Sequence, residues 1–167
     1  ANSKNILIVV DENIQSDRLK MVIEDDGKGM DPEMAASVID PFVTSRTTRK
    51  VGLGIPLLKA AAEACNGYLH IESTQGKGTR VEVEFQRSHI DRMPLGDLVN
   101  TILSLVIGSP EVHWRFQYRV NEETFDFDDG PIKEQLDGIS LSEPGVLSFI
   151  REYLQEGIAG IKPVTEY

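Results

Sequence analysis

The chain is poor in cysteine, in basic residues and in long apolar runs. It has one cysteine among 167 residues, so an intrachain disulfide and a thiolate zinc set are both excluded. That residue, Cys65, sits in an Ala-rich run and reads as a small buried hydrophobe. No apolar run approaches the ~20 residues that a membrane-spanning helix needs, and no signal peptide is visible. The expectation is therefore a cytoplasmic protein with no membrane partner. Lysine and arginine total 17 against 27 aspartates and glutamates, a formal charge of −10. A nucleic-acid binder needs a basic face for the phosphates, so nucleic acid is not an expected partner. The deficit is uneven: residues 1–88 hold 11 basic and 13 acidic side chains, residues 89–167 hold 6 and 14. The basic cluster that stands out is Arg46, Arg49 and Lys50.

What is present divides into two parts, 1–88 and an acidic extension, 89–167. In the first, residues 5–11 form an apolar, β-branched run that reads as a strand buried on both faces. Residues 18–24 alternate, with Val22 the exception, and read as its hairpin partner. Asp31–Pro32 has the form of an N-cap and a first-turn proline for a helix to about Ile39. Residues 44–50 have no apolar period and read as a loop. Residues 53–66 read as a helix closed by Gly67 at C′, and 68–74 and 79–87 as strands joined by a tight turn. In the second part, 95–107 carries a helical apolar stripe. Residues 112–120 alternate, with Val112, Trp114, Phe116, Tyr118 and Val120 inward; Phe125 and Phe127 continue inward after a turn, with Asp126 and Asp128 outward. A short helix at 132–136 and a longer one capped by Ser142, running to about Glu156, complete an α+β chain.

The chemistry concentrates in Met21–Leu58. Asp25-Asp26-Gly27-Lys28-Gly29 places a carboxylate and two glycines at a strand end. An ionised carboxylate accepts hydrogen bonds only, so it can read the amino group of an adenine, and glycines let a base approach the backbone. An ordinary acidic turn accounts for the same residues. Further on, Gly52-Leu53-Gly54 precedes a helix, where exposed N–H groups and the helix dipole favour anions; glycines serving packing at a loop-to-helix junction are the alternative. A dinucleotide-binding turn does not fit, because Leu57 stands where its third glycine would be and a basic loop precedes it.

Taken together, these elements resemble the ATPase family of histidine kinases, DNA gyrase, Hsp90 chaperones and MutL repair proteins. Asp25, Gly27 and Gly29 match its first glycine box. Pro41-Phe42-Val43-Thr44-Ser45-Arg46 resembles the start of the ATP lid in some sensor kinases, and Gly52-Leu53-Gly54-Ile55-Pro56-Leu57 the second box. Gln75–Thr79 resembles the turn and threonine between the last two strands. The resemblance covers residues 1–88 and implies a two-layer α/β sandwich of the Bergerat type, with residues 89–167 as an α+β annex. It implies ATP as the ligand. Asp25 would bind the adenine amino group, and Gly27 and Gly29 would shape its pocket. Arg46, Thr47, Thr48, Arg49 and Lys50 would form the lid, with Arg46 nearest a terminal phosphate; a solvated basic loop is the other reading of Arg49 and Lys50. Gly52, Leu53 and Gly54 would line the phosphates, and Thr79 would support the adenine end through Asp25 or a water.

One element of the family departs here. Its Mg²⁺ is held by an Asn on a helix before the first strand, whereas this chain opens Ala1-Asn2-Ser3-Lys4-Asn5. Asn2 and Asn5 read as cap or turn residues, not metal ligands, and the expectation is that a segment bearing the Asn helix precedes Ala1. Mg²⁺ is expected only with that helix. His89 opens a stretch, His89–Leu95, similar to a phosphoacceptor signature, but Ile90 replaces the acid that would take the imidazole proton, and a linker histidine is the preferred reading. The expected function is ATP binding under a short basic lid, for hydrolysis or phosphoryl transfer to a protein partner. A nucleotide-gated or nucleotide-free interaction module is the alternative; catalytic residues and oligomeric state are left open.

Overall fold

The computed structural model describes residues 2–40 and 53–161. Its strands are β1 (Asn5–Asn13), β2 (Arg18–Asp25), β3 (Tyr68–Thr74), β4 (Gly78–Gln86), β5 (His113–Val120) and β6 (Glu123–Asp128). Its helices are α1 (Pro32–Ile39), α2 (Gly54–Ala64), α3 (Leu98–Gly108), α4 (Gly130–Leu136) and α5 (Pro144–Ile161). The strands form one sheet in the order β3-β4-β2-β1-β5-β6. All neighbours are antiparallel except β1 and β5, which run parallel. The β5–β6 hairpin of the acidic half thus joins the sheet begun by the first half, beside β1.

Side-chain alternation gives this sheet one apolar and one polar face. The register places Leu19, Val83 and Leu69 on the same face as Val10, Tyr118 and Phe125. That face is buried with Ala62 and Cys65 at the end of α2, with Ile102, Leu103 and Val106 of α3, and with Ile150, Leu154 and Ile158 of α5. The result is a mixed α+β, two-layer architecture. The opposite face carries the ion pairs Lys20–Glu82, Lys20–Glu84, Arg18–Glu84 and Arg80–Glu24. Val22, the exception in the alternation of β2, lies on this polar face beside Val9 and is buried there. Glu12, near the end of β1 on the apolar face, is buried: Tyr118 Oη donates to Oε1 at 2.6 Å and Arg87 Nε to Oε2 at 2.8 Å. Burial and the Glu12 bond push the Tyr118 phenol well above its ordinary range.

Local signals explain most element ends. Asp31 Oδ1 accepts from Met34 N at 2.8 Å, the expected cap of α1. Three ends differ from expectation. At the close of α2 the left-handed residue is Asn66 (φ 54°), not Gly67. Gly67 N donates to Ala62 O and Asn66 N to Glu63 O, a Schellman motif with Gly67 one place further on. Gly67 is needed for a different reason: a Cβ there would lie 1.7 Å from Glu84 O of β4. Helix α3 begins at Leu98, where Asp97 accepts from Asn100 N, so Leu95 and the positive-φ Gly96 precede it. Helix α5 starts at Pro144, two residues after Ser142, and runs on to Ile161. The outward row of β5 meets that of β6, with Arg115 opposite Asp128 and Gln117 opposite Asp126.

Candidate functional site

The site is built at the end of β2, where the chain leaves the sheet between β1 and β4. Two adjacent aspartates divide the work. Asp26 turns back onto β1: its Oδ1 accepts from Lys4 N at 2.7 Å and Asn5 N at 2.9 Å, and its Oδ2 from Asn5 Nδ2 at 2.6 Å. The Asn5 side chain and these backbone N–H groups lower its carboxyl from 3.8 to about 2. Asp26 is therefore a fastener. Asp25 points to the helix-side face. Its Oδ1 accepts from Gly27 N at 2.8 Å and Ser3 Oγ at 3.1 Å. Among the described residues nothing donates to its Oδ2.

Asp25 is aligned with Thr79 of β4, and Thr79 with Ser73 of β3. The Thr79 hydroxyl meets Ser73 Oγ at 2.8 Å, not Asp25. Ser73 Oγ also accepts from Met30 N at 2.8 Å and lies 3.1 Å from Gly78 O. One hydroxyl thus ties the glycine turn to both strands of the β3–β4 hairpin. The turns interlock through their backbones too, with Gly76 N donating to Lys28 O at 2.7 Å. Two glycines are required by this crowding. Gly29 (φ 63°) would put a Cβ 2.0 Å from Thr74 O, and Gly78 (φ 122°) one 1.9 Å from Asp25 O. A cleft of about 270 Å³ at the strand ends is lined by Asp25, Ser73 and Thr79 together with Glu24, Glu72 and Arg80, which stand on the polar face. On the helix-side face of β2, which elsewhere forms the core, Ile23 is 46% exposed.

Of the residues expected from sequence, Asp25, Gly27, Gly29 and Thr79 come together here. Leu53 and Gly54 stand at the start of α2, Leu53 exposed and Gly54 with nothing within 4 Å of a Cβ built on it. Arg46, Thr47, Thr48, Arg49, Lys50 and Gly52 lie outside the described residues. Ser73, Ser3 and Asp26 were not anticipated. A serine inside a strand carries no local signal, and its role arises only when β3 is laid against β4. Asn5 holds Asp26 with its amide nitrogen, while its Oδ1 lies 3.0 Å from His113 Nδ1. His89 sits in the turn after β4, with Asp91 N donating to its Nδ1 at 3.2 Å.

Among the described residues, one His/Cys/Asp/Glu group is compact enough to suggest a cation: His113, Asp128 and Asp129, with ligand atoms within 4.8 Å of one another. Its members are already engaged. Lys133 Nζ is 2.6 Å from Asp129 Oδ2, Trp114 N donates to Asp129 Oδ1, and His113 Nε2 is 2.7 Å from Asp128 Oδ1. No described helix is long and apolar enough to cross a membrane.

A family model described as histidine kinase-, DNA gyrase B- and HSP90-like ATPase matches residues 1–89. A protein of Shewanella frigidimarina named as a sensor protein is 30% identical over 86 residues, 51% of this chain and 13% of its own length. An NtrY-like sensor histidine kinase, so named, of Rickettsia conorii is 25% identical over 84 residues, 50% of this chain and 14% of its own. The chain thus spans about a seventh of the length of these curated relatives. Among solved structures, the nucleotide-free catalytic domain of the histidine kinase ThkA overlaps 52% of this chain and 57% of that one, at 17% identity and a TM-score of 0.39.

Proposed function

The chain belongs to the histidine kinase-, DNA gyrase B- and HSP90-like ATPase family, and on that premise we propose that residues 1–88 bind ATP, with Asp25 reading the adenine, for hydrolysis or phosphoryl transfer to a protein partner. The observation that carries this reading is the divided use of the Asp25 carboxylate. Oδ1 is fixed by Gly27 N and Ser3 Oγ, which leaves Oδ2 as the acceptor for the adenine amino group. Ile23 offers an apolar surface beside it for the ring. Thr79 and Ser73 complete the polar wall: a Ser73 hydroxyl that donates to Gly78 O can accept the Thr79 proton, turning the Thr79 lone pairs toward the ligand.

The phosphates would lie toward Gly54, where the first N–H groups of an 11-residue helix are unpaired within the helix. Arg46, Thr47, Thr48, Arg49 and Lys50 would close over them. ATP carries several negative charges, and charge-assisted bonds from such a loop are the strong ones. Mg²⁺ commonly accompanies ATP; among the described residues the one compact ligand group, His113, Asp128 and Asp129, does not include Asp25. The relatives named as sensor kinases support phosphoryl transfer, a reaction in which positioning and charge neutralisation do most of the protein's work.

Calorimetric titration with a non-hydrolysable ATP analogue, with and without Mg²⁺, tests the reading. Asp25→Asn keeps an acceptor for Gly27 and Ser3 but turns an NH₂ toward the adenine amino group. Losing one charge-assisted bond is worth about 1.5–3 kcal/mol, roughly ten- to hundredfold in affinity. Equal binding by both proteins, or binding by neither, would sink the assignment.

A further inference from the structure

At the far end of the sheet from β3, a groove of about 590 Å³ runs beside the edge strand β6, between it and α4 and α5. Its walls are mostly apolar: Ile132 and Leu136 of α4, Val146, Phe149 and Tyr153 of α5. Phe149 is 56% exposed and Tyr153 45%. Their rings are stacked at 6.5 Å, and Tyr153 also packs on Phe125 at 5.5 Å and Phe127 at 6.2 Å. The aromatic wall is therefore anchored to the core behind it and available in front.

The floor of the groove is the free edge of β6. Asp129 N donates to Trp114 O across the hairpin, so alternation along β6 turns the N–H and C=O groups of Asp126 and Asp128 outward. The Tyr153 hydroxyl donates to Asp126 O at 3.4 Å, a long bond that an incoming strand would replace. On the sheet face away from α5 stand the two carboxylates, Asp126 opposite the neutral Gln117 and Asp128 opposite Arg115. Asp126 Oδ1 accepts from Gln117 Nε2, and Asp128 Oδ1 from Gly130 N with His113 Nε2 beside it. Oδ2 of each has no partner among the described residues. Exposed acids Glu123, Glu134 and Glu152 lie on the same three elements, within a half of the chain that holds 14 acidic and 6 basic side chains.

We propose that this groove binds an extended segment of a partner protein, which adds to the sheet as a strand beside β6 and alternates apolar with basic residues. A strand presents successive side chains to opposite faces. One set would enter the Phe149–Tyr153–Ile132 wall, and the other would meet Asp126 and Asp128. Main-chain pairing supplies affinity in such strand addition and the alternate side chains supply selection. An open edge is otherwise an aggregation hazard, and the carboxylates repel a second copy of this acidic chain while favouring a basic one.

The test uses the full chain and a fluorescein-labelled, end-capped peptide of about eight residues alternating lysine and valine, followed by fluorescence anisotropy. The Lys/Val peptide is expected to bind. Asp126→Lys and Phe149→Ala, both at exposed positions, should each weaken it about tenfold or more, with the far-ultraviolet circular dichroism of each variant unchanged. The same peptide N-methylated on the amides that would face β6 should not bind. Equal binding of a Glu/Val peptide would overturn the charge rule. Equal binding of the N-methylated peptide would overturn strand pairing. No anisotropy change at millimolar peptide, or a sedimenting dimer that Phe149→Ala dissolves, would overturn the partner assignment. None of these outcomes depends on ATP, so failure here leaves the nucleotide reading standing.

Discussion

Strands β2 and β5 flank β1 on its two sides and present their apolar residues to the same face of the sheet, yet they are covered differently. Along β5, Trp114, Phe116, Tyr118 and Val120 are all buried, beneath a face shared with α3 and α5. Along β2, exposure rises from 2% at Leu19 to 46% at Ile23, the last residue on that face before Asp25. The cover is unequal because α3 and α5 bury large aliphatic residues fully, whereas α2 buries Ala62 and Cys65 and leaves Ile55 and Leu58 only partly covered. A face meant for stability is closed along its whole length. A face left open over its last residues, with an acceptor at its rim, is complete only when something else supplies the missing layer.

The largest effect expected from breaking this contrast is on the closed side. Phe116→Ala removes a ring that is 1% exposed, at a cost of about 3–5 kcal/mol. Urea unfolding should show that loss, while the ATP-analogue affinity of the folded fraction stays at the wild-type value. A fall in affinity as large as that of Asp25→Asn would mean that the two sides are coupled through β1. On the open side, Gly29→Ala forces a left-handed residue and a Cβ into Thr74 O, and about 1–3 kcal/mol of stability should go. Gly54→Ala is its counterpart. Nothing obstructs the new methyl, and alanine is the better helix former, so stability should change by no more than about 1 kcal/mol. If phosphates approach the start of α2 closely, the analogue's affinity should fall all the same. An unchanged affinity would move the phosphates elsewhere.

The sequence made the closed side easy to read and the open side only half so. The alternation of Val112 to Val120 gives the inward residues of β5 without ambiguity, because burial on one face forces a period of two. The caps at Asp31 and the carboxylate-glycine turn at Asp25 are local signals too. What the sequence could not carry is contact across the sheet. Ser73 looks like any strand serine until Thr79 and Met30 are placed against it. Gly67 looks like a helix terminator, yet it is glycine because β4 passes close by. Nor does local pattern say that the β5–β6 hairpin runs alongside β1 in a parallel pair, since such pairing depends on a long connection and not on residues near the strand.

The smallest effect separates the two adjacent aspartates. The Asp26 carboxyl titrates lower in the folded chain, at about 2 against an ordinary 3.8, because Asn5 and the backbone N–H groups of Lys4 and Asn5 bind its ionised form. The unfolded chain therefore takes up its proton first as pH falls. The stability Asp26 lends is complete above about pH 5 and disappears between about pH 4 and pH 2. Glu82, lowered from 4.5 to about 2 first by the Tyr68 hydroxyl and then by Arg80, loses its contribution from slightly higher pH down to about pH 2. Urea midpoints measured across that range should show a shallower acid limb in Asp26→Asn than in the wild type. Asp25→Asn, which changes a carboxylate with an unclaimed oxygen, should act on ligand affinity. If Asp26→Asn keeps the wild-type limb, its bonds to Lys4 and Asn5 do not fasten β1, and the division of labour between the two aspartates fails.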